Sequence, residues 1–153
     1  MATVKRRRSI IVCADIVGDR PLVGSDELVT LSALKGHREA IDPLLAEDGG
    51  RLVKTVGDGL LLEFPSAFHA VRAALAVQRL MAERNGQVPQ DQRRLFRIGV
   101  HFGDIIVDNE DISGDGVDIA VGLQEIADPG GICLSQAVYA NVRNTICPVP
   151  RRR

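Results

Sequence analysis

The order of predicted strands and helices indicates an α+β fold: a ferredoxin-like βαββαβ core with an antiparallel sheet and C-terminal additions. Apolar runs of strand length, such as residues 10–16, alternate with segments whose apolar residues recur at helical spacing, such as residues 28–45. Turns that contain glycine and proline separate these segments. The chain has 153 residues, a length that suits one domain with a substantial core.

Each element is predicted from a local pattern. Residues 9–17 are almost all apolar, which is typical of a strand buried on both faces. Residues 9–142 are expected to form one domain. The predicted elements are a basic tail at 1–8, a strand at 9–17, a helix from Ser25 to Gly49, strands at 52–56 and 60–64, a helix from Ser66 to Asn85, two strands within 95–107 that turn at Gly103-Asp104, an acidic loop at 108–116, a short helix at 117–127, a strand at 132–134, a helix from Ser135 to Val142, and a tail at 143–153.

The composition argues against several classes of protein. The net charge is -1 and the chain has no tryptophan, so we expect neither a nucleic acid nor an anionic membrane as partner. No apolar run reaches the length of a transmembrane helix. Cys13, Cys133 and Cys147 are odd in number and widely spaced, which indicates reduced thiols in a cytoplasmic protein.

Two carboxylates are expected to meet at one end of the sheet. In the predicted order, the first strand lies antiparallel to the third, so the end of one adjoins the start of the other. Asp15 ends the first strand, and Asp58 lies in the glycine-flanked turn before the third. Adjacent like charges are costly unless a cation lies between them. Mg²⁺ or Mn²⁺, bound by both aspartates and the carbonyl oxygen of Ile16, would suit these oxygen ligands. The alternative is an ordinary Asp-Gly turn.

Five segments resemble one known family, and they occur in the family's order. These are residues 14–18 (ADIVG), 50–59 (GRLVKTVGDG), 96–104 (FRIGVHFGD), 114–120 (GDGVDIA) and 129–135 (PGGICLS). Together they resemble the catalytic domain of class III nucleotidyl cyclases over residues 9–142. The resemblance implies the class III cyclase fold and a head-to-tail dimer, with each site built across the interface.

The resemblance also implies a reaction and the residues that carry it. In this family the ribose 3′-oxygen attacks the α-phosphate of the same nucleotide, which gives a 3′,5′-cyclic nucleotide and pyrophosphate. Asp15 and Asp58 match the residues that hold two metal ions. Lys54 and Asp111 match the pair that reads the purine from the partner subunit, opposite the subunit whose aspartates hold the metals, and their donor and acceptor pattern favours ATP over GTP. The loop that wraps the phosphates corresponds to Val17, Gly18 and Asp19.

The chain departs from the family at three positions. The helix after the glycine-containing loop normally presents an asparagine that orients the ribose and, one turn later, an arginine that binds the α-phosphate. Asp118 and Gly122 stand at these positions, and Asp19 replaces an aromatic residue. Removing one donor from a developing charge typically costs about 10²–10³ in rate. These changes therefore argue against efficient cyclisation by a homodimer.

Three functions remain open at this point. The first is a weak adenylate cyclase. The second is a non-catalytic dimerisation and regulatory module that binds nucleotide or metal. The third is the metal-bearing half of a heterodimer, in which a different cyclase domain supplies the asparagine and the arginine. The retained aspartates favour the first and third functions over a pure scaffold.

Overall fold

The computed structural model describes residues 4–18, 27–56 and 58–143. Its order of strands and helices confirms the predicted α+β fold. The elements are β1 (Val4–Gly18), α1 (Glu27–Glu47), β2 (Arg51–Val56), β3 (Gly59–Phe64), α2 (Ala67–Asn85), a short 3₁₀ turn (Gln90–Gln92), β4 (Arg94–Asp108), β5 (Asp111–Ser113), α3 (Asp115–Ile126), β6 (Ile132–Leu134) and α4 (Gln136–Val142).

The sheet has the strand order β2-β3-β1-β4-β5, and β6 pairs with β4. Every neighbouring pair is antiparallel except β4 and β6. The prediction that the first strand lies antiparallel to the third is confirmed, because β1 pairs with β3 from Ile10 opposite Phe64 to Asp15 opposite Gly59. On its other side, β1 pairs with β4 along its whole length, from Val4 opposite Asp108 to Gly18 opposite Arg94.

Helices cover both faces of the sheet. Successive side chains of β1 point to opposite faces, so the strand contributes to a core on each side. Ile10 and Val12 face the larger core with α1, α2 and α4, whereas Ile11 and Cys13 face a smaller core beneath α3. The predicted burial of this strand on both faces is therefore confirmed. α3 lies very close to β4, because a Cβ atom on Gly99 would be 2.5 Å from the carbonyl oxygen of Ala120.

The predicted ends of the second helix are confirmed by its capping. Ser66 precedes α2 and its hydroxyl accepts a hydrogen bond from the amide of His69 at 3.1 Å. The end of α1 near Gly49 is also confirmed, since Gly49 has a φ of 77° and follows the last helical turn. None of the described helices is both long and apolar enough to cross a membrane.

The predicted basic tail is wrong for residues 4–8, which form the first third of β1. Their charges do not oppose a strand because the side chains lie at the surface and reach acidic partners. Arg7 pairs with Glu63, and Arg8 lies 3.6 Å from Asp104. The proposed N-cap Ser25, the residue Cys147 and the tail at 144–153 lie outside the described residues.

The predicted turn at Gly103-Asp104 is also wrong, because β4 continues through it to Asp108. Gly103 instead leaves room for the His101 ring, because a Cβ atom there would clash with Nε2 of His101. The chain reverses at Asn109, whose φ is 58°, and returns as β5 within the segment predicted as an acidic loop. Two strands are thus present as predicted, but with different bounds.

A buried carboxylate forms hydrogen bonds that link three strands on the α3 face of the sheet. Glu63 of β3 accepts hydrogen bonds from Arg7 at 3.1 Å and Ser9 at 2.5 Å, both in β1, and from Arg51 of β2 at 2.5 Å. Burial would raise the pKa of Glu63, but the hydrogen bonds from Arg7, Ser9 and Arg51 outweigh it and lower the pKa to about 2. The ionised carboxylate therefore stabilises this end of the sheet.

Replacing Glu63 with glutamine is expected to lower the free energy of unfolding at pH 7 by about 2 kcal/mol, since it removes a charged acceptor from several donors. The pKa of Glu63 lies below its ordinary value of 4.5, so its contribution is full above that pH and is lost as the pH falls towards 2. Urea unfolding across this range measures the effect. Glu39→Gln, at an exposed position of α1, is the control. An equal loss at pH 7 and pH 2 would contradict the prediction.

Candidate functional site

Asp15 lies where β1 meets both of its neighbours. It stands opposite Gly59 of β3 and opposite Arg97 of β4. Asp58 immediately precedes Gly59 and is exposed in the turn that joins β2 to β3. Since Asp58 is next in the chain to the residue opposite Asp15, this register brings the backbone of the two aspartates close together. Their role as metal ligands stays a prediction.

Arg97 is a candidate functional residue that the sequence analysis did not single out. Its Nη2 lies 3.7 Å from Oδ2 of Asp15, and its Nη1 donates to the carbonyl oxygen of Glu125 at 3.2 Å. The residue lies within the segment 96–104 that carries the family resemblance, but only the strand register places it beside Asp15. A guanidinium at this end of the sheet can bind a phosphate with paired hydrogen bonds.

The oxygen atoms of Asp15, Asp58 and the Ile16 carbonyl are of the kind that binds a hard divalent cation. Among the described residues, no group of three or more histidine, cysteine, aspartate or glutamate side chains could hold a metal ion. Magnesium is commonly bound by one or two carboxylates, and water and substrate phosphates complete its coordination. Asp15, Asp58 and the carbonyl oxygen of Ile16 fit that pattern, which needs no closed cage of protein ligands.

Lys54 and Asp111, the candidate purine-binding pair, are in contact. Nζ of Lys54 in β2 lies 2.9 Å from Oδ1 of Asp111 in β5. The same carboxylate oxygen accepts a hydrogen bond from the backbone amide of Ile112 at 2.8 Å. Hydrogen bonds from Lys54 and then from the Ile112 amide lower the pKa of Asp111. This carboxylate is therefore a hydrogen-bond acceptor at neutral pH.

A cleft of ≈ 410 Å³ lies between the sheet and α3. Asp15 and Lys54 both line it. Most other lining residues are apolar: Cys13, Ala14, Leu60, Leu61, Val117 and Val121. Burial raises the pKa of the Cys13 thiol to about 12, so this cysteine is a neutral wall residue and not a nucleophile. Gln124 of α3 completes the lining.

α3 carries two of the three positions at which the chain departs from the family pattern. Asp118 and Gly122 lie one helical turn apart and are exposed. A Cβ atom on Gly122 would meet nothing within 4 Å, so a longer side chain has room there. The expected phosphate loop is only partly described: Val17 and Gly18 end β1, and Asp19 lies outside the described residues.

Comparisons with known proteins agree with this geometry. The family model for the adenylate and guanylate cyclase catalytic domain matches residues 4–151. A protein of Rhizobium meliloti (strain 1021), named as a candidate adenylate cyclase, is 40% identical over 141 residues, which cover 92% of this chain but 24% of that protein. An adenylate cyclase of Streptomyces coelicolor is 32% identical over 132 residues, which cover 86% of this chain and 33% of that protein.

Solved structures give the same result. The structure of an adenylate/guanylate cyclase/hydrolase from Silicibacter pomeroyi superposes with a TM-score of 0.89 at 38% identity, and covers 96% of this chain and 86% of that one. The chain spans about a quarter to a third of the length of the two relatives above. By the family match and these similarities, it belongs to the adenylate and guanylate cyclase catalytic domain family.

Proposed function

We propose that the chain binds ATP with Mg²⁺ or Mn²⁺ at a dimer interface and converts it slowly to 3′,5′-cyclic AMP. The ribose 3′-oxygen forms a bond to the α-phosphorus, the bond to pyrophosphate breaks, and the hydroxyl proton passes to solvent. The observation that carries this proposal is the contact between Lys54 and Asp111 beside the cleft that Asp15 lines.

The sheet supplies the groups that would bind the triphosphate. Asp15 and Asp58 would hold the divalent cations, with the carbonyl oxygen of Ile16 as a further ligand. When bound, such ions neutralise the phosphates and make the 3′-hydroxyl more acidic. Arg97 would turn from Asp15 towards the phosphates, since a guanidinium binds phosphate oxygens in the same manner as carboxylate oxygens. Metal and phosphate binding thus rest on residues that this chain retains.

The purine preference would come from Lys54 and Asp111. The ammonium of Lys54 can donate to a ring nitrogen of adenine, and the carboxylate of Asp111 can accept from the exocyclic amine. Guanine presents a carbonyl where Asp111 needs a donor, so GTP would lose one hydrogen bond and meet a repulsive oxygen. The lowered pKa of Asp111 supports this role, because the group stays an acceptor at neutral pH.

α3 would limit the rate. It carries the acids Asp115, Asp118 and Glu125, all exposed, and no basic residue. Asp118 brings negative charge where the family has a neutral amide, and Gly122 offers no donor for the charge that develops on the α-phosphate. Fixed donors aimed at a developing charge are usually a large part of catalysis. The domain would therefore bind ATP better than it converts it.

A second candidate function is the metal-bearing half of a heterodimer. The observation that favours it is the division of the retained groups: the residues of the sheet are kept, whereas both positions on α3 are lost. A partner cyclase domain with the asparagine and the arginine would complete one site. A regulatory dimer without turnover is the third option, and it predicts ATP binding with no product from any such mixture.

Assays with Mn²⁺ and ATP are expected to show metal-dependent ATP binding with a turnover far below the usual enzyme range of about 1 s⁻¹ or more. Asp15→Asn should abolish the metal dependence, because it removes a charged ligand. Asp91→Asn, at an exposed position of the 3₁₀ turn, is the control. Calorimetry measures binding and chromatography measures cyclic AMP. Turnover near 1 s⁻¹, or equal ATP binding without metal, would contradict the proposal.

Restoring both positions on α3 is expected to raise activity. The double variant Asp118→Asn with Gly122→Arg should form cyclic AMP about 10²-fold faster than the native chain, since it returns an amide and a cation to the reacting phosphate. The open space at Gly122 lets the arginine fit without repacking. The control is Asp118→Asn with Gly122→Ala, which lacks the cation. If both double variants are equally slow, the defect lies elsewhere in the site.

Lys54→Ala is expected to remove the preference for ATP over GTP while leaving the urea midpoint of unfolding nearly unchanged. The reason is that Lys54 and Asp111 form an exposed ion pair, and such pairs contribute little to stability. Competition binding and urea unfolding measure the two effects. Arg38→Ala breaks the ion pair with Asp42 on α1, away from the cleft, and should leave nucleotide preference unchanged. An unchanged preference in Lys54→Ala would rule out this base-reading role.

A further inference from the structure

Gln124 of α3 is buried in the cleft wall without a partner for its amide nitrogen. The residue is only 7% exposed, and it lines the same cleft as Asp15 and Lys54. Its Nε2 is shielded from solvent, and no acceptor lies within hydrogen-bonding distance in the described part of the chain. By contrast, Gln78 of α2 donates to two backbone carbonyl oxygens at 2.9 Å. Gln78 is a structural glutamine, and Gln124 is not satisfied in that way.

The fold alone does not account for an amide at this position. A buried donor without an acceptor carries its full desolvation cost, whereas an apolar side chain of similar shape would not. The backbone at Gln124 is held firmly, because a Cβ atom on Gly99 of β4 would lie 2.5 Å from the amide nitrogen of Gln124. The backbone that carries this side chain is therefore held beside the cleft by close packing of α3 on β4. A ligand in the cleft can supply the missing acceptor when the side chain turns its amide nitrogen towards it.

The character of the cleft indicates which part of a nucleotide would meet Gln124. Its walls are mainly apolar, so they suit a flat heterocycle better than a triphosphate. An amide offers one donor and one acceptor side by side, which match N7 and the exocyclic amine of adenine. A half-turn about the last bond of the side chain exchanges the amide oxygen and nitrogen at little cost. Guanine presents two acceptors on this edge and would satisfy only the donor.

We propose that Gln124 is a base-reading residue that hydrogen-bonds the N7 edge of adenine in this cleft. The exocyclic amine of adenine carries two hydrogens, so it can donate to Asp111 on one edge and to Gln124 on the other. Lys54 and Gln124 would then read opposite edges of the same ring. The inference rests on the proposed function, because it assigns a further contact to the same nucleotide site.

The test compares ATP with 7-deaza-ATP, in which a C–H group replaces N7, for the native chain and for Gln124→Leu, with Mn²⁺ present. The native chain should bind 7-deaza-ATP about tenfold more weakly than ATP, as expected for one lost hydrogen bond with a buried donor. Gln124→Leu should bind ATP about tenfold more weakly than the native chain and should not distinguish the two ligands. The same variant should resist urea at least as well as the native chain, since it removes an unsatisfied amide.

Gln78→Leu is the matched control. It should unfold at lower urea concentration, because it removes two hydrogen bonds to backbone, and it should keep the native discrimination between the two ligands. If Gln124→Leu keeps that discrimination, or if the native chain binds both ligands equally, Gln124 does not read the base, although ATP binding still supports the proposed function. A native chain that binds neither ligand would overturn both proposals.

Discussion

The candidate site depends on the antiparallel pairing of β1 with β3 on one side and β4 on the other. This pairing places Asp15 between Gly59 and Arg97, and so brings the two aspartates and the arginine to one end of the sheet. Register is strongly specified here because β1 is buried on both faces. A slip by one residue would exchange the side chains of the two cores and turn Asp15 to the opposite face. The packing of the two cores therefore determines which charged side chains meet at this end of the sheet.

The charges of the site are divided between the sheet and α3. The strands carry two ion pairs, Asp15 with Arg97 and Lys54 with Asp111, so these two acids each have a base beside them before any ligand binds. α3 carries acids alone and contributes a helix packed closely over Gly99. On the proposed function, a nucleotide would meet mostly paired charge from the strands and negative charge without a base from the helix. This asymmetry is the physical reason to expect that the domain binds ATP better than it converts it.

The sequence predicted the elements that rest on local patterns, and it failed where distant partners decide. Apolar runs and turns were sufficient for the order of elements and for the position of Asp58 in its hairpin. The start of β1 was misplaced because Arg7 and Arg8 find acidic partners, Glu63 and Asp104, that lie far along the chain. Arg97 gained its significance only from the strand register. The sequence places Gln124 on a helix and gives no further signal. Its significance comes from the structure, in which its amide nitrogen is unsatisfied in the cleft wall.

The two proposals assign different outcomes to the two sides of α3. Gly122 and Gln124 are two positions apart and so point to different sides of the helix: Gly122 faces open space, and Gln124 faces the sheet. Changes on the outer side remove groups that would stabilise the transition state, while the inner side stays fixed by packing against β4. Catalysis needs interactions that are stronger in the transition state than with bound substrate, whereas recognition needs only the latter. If both proposals hold, the inner side of α3 selects the base although the outer side lacks the groups that accelerate the reaction.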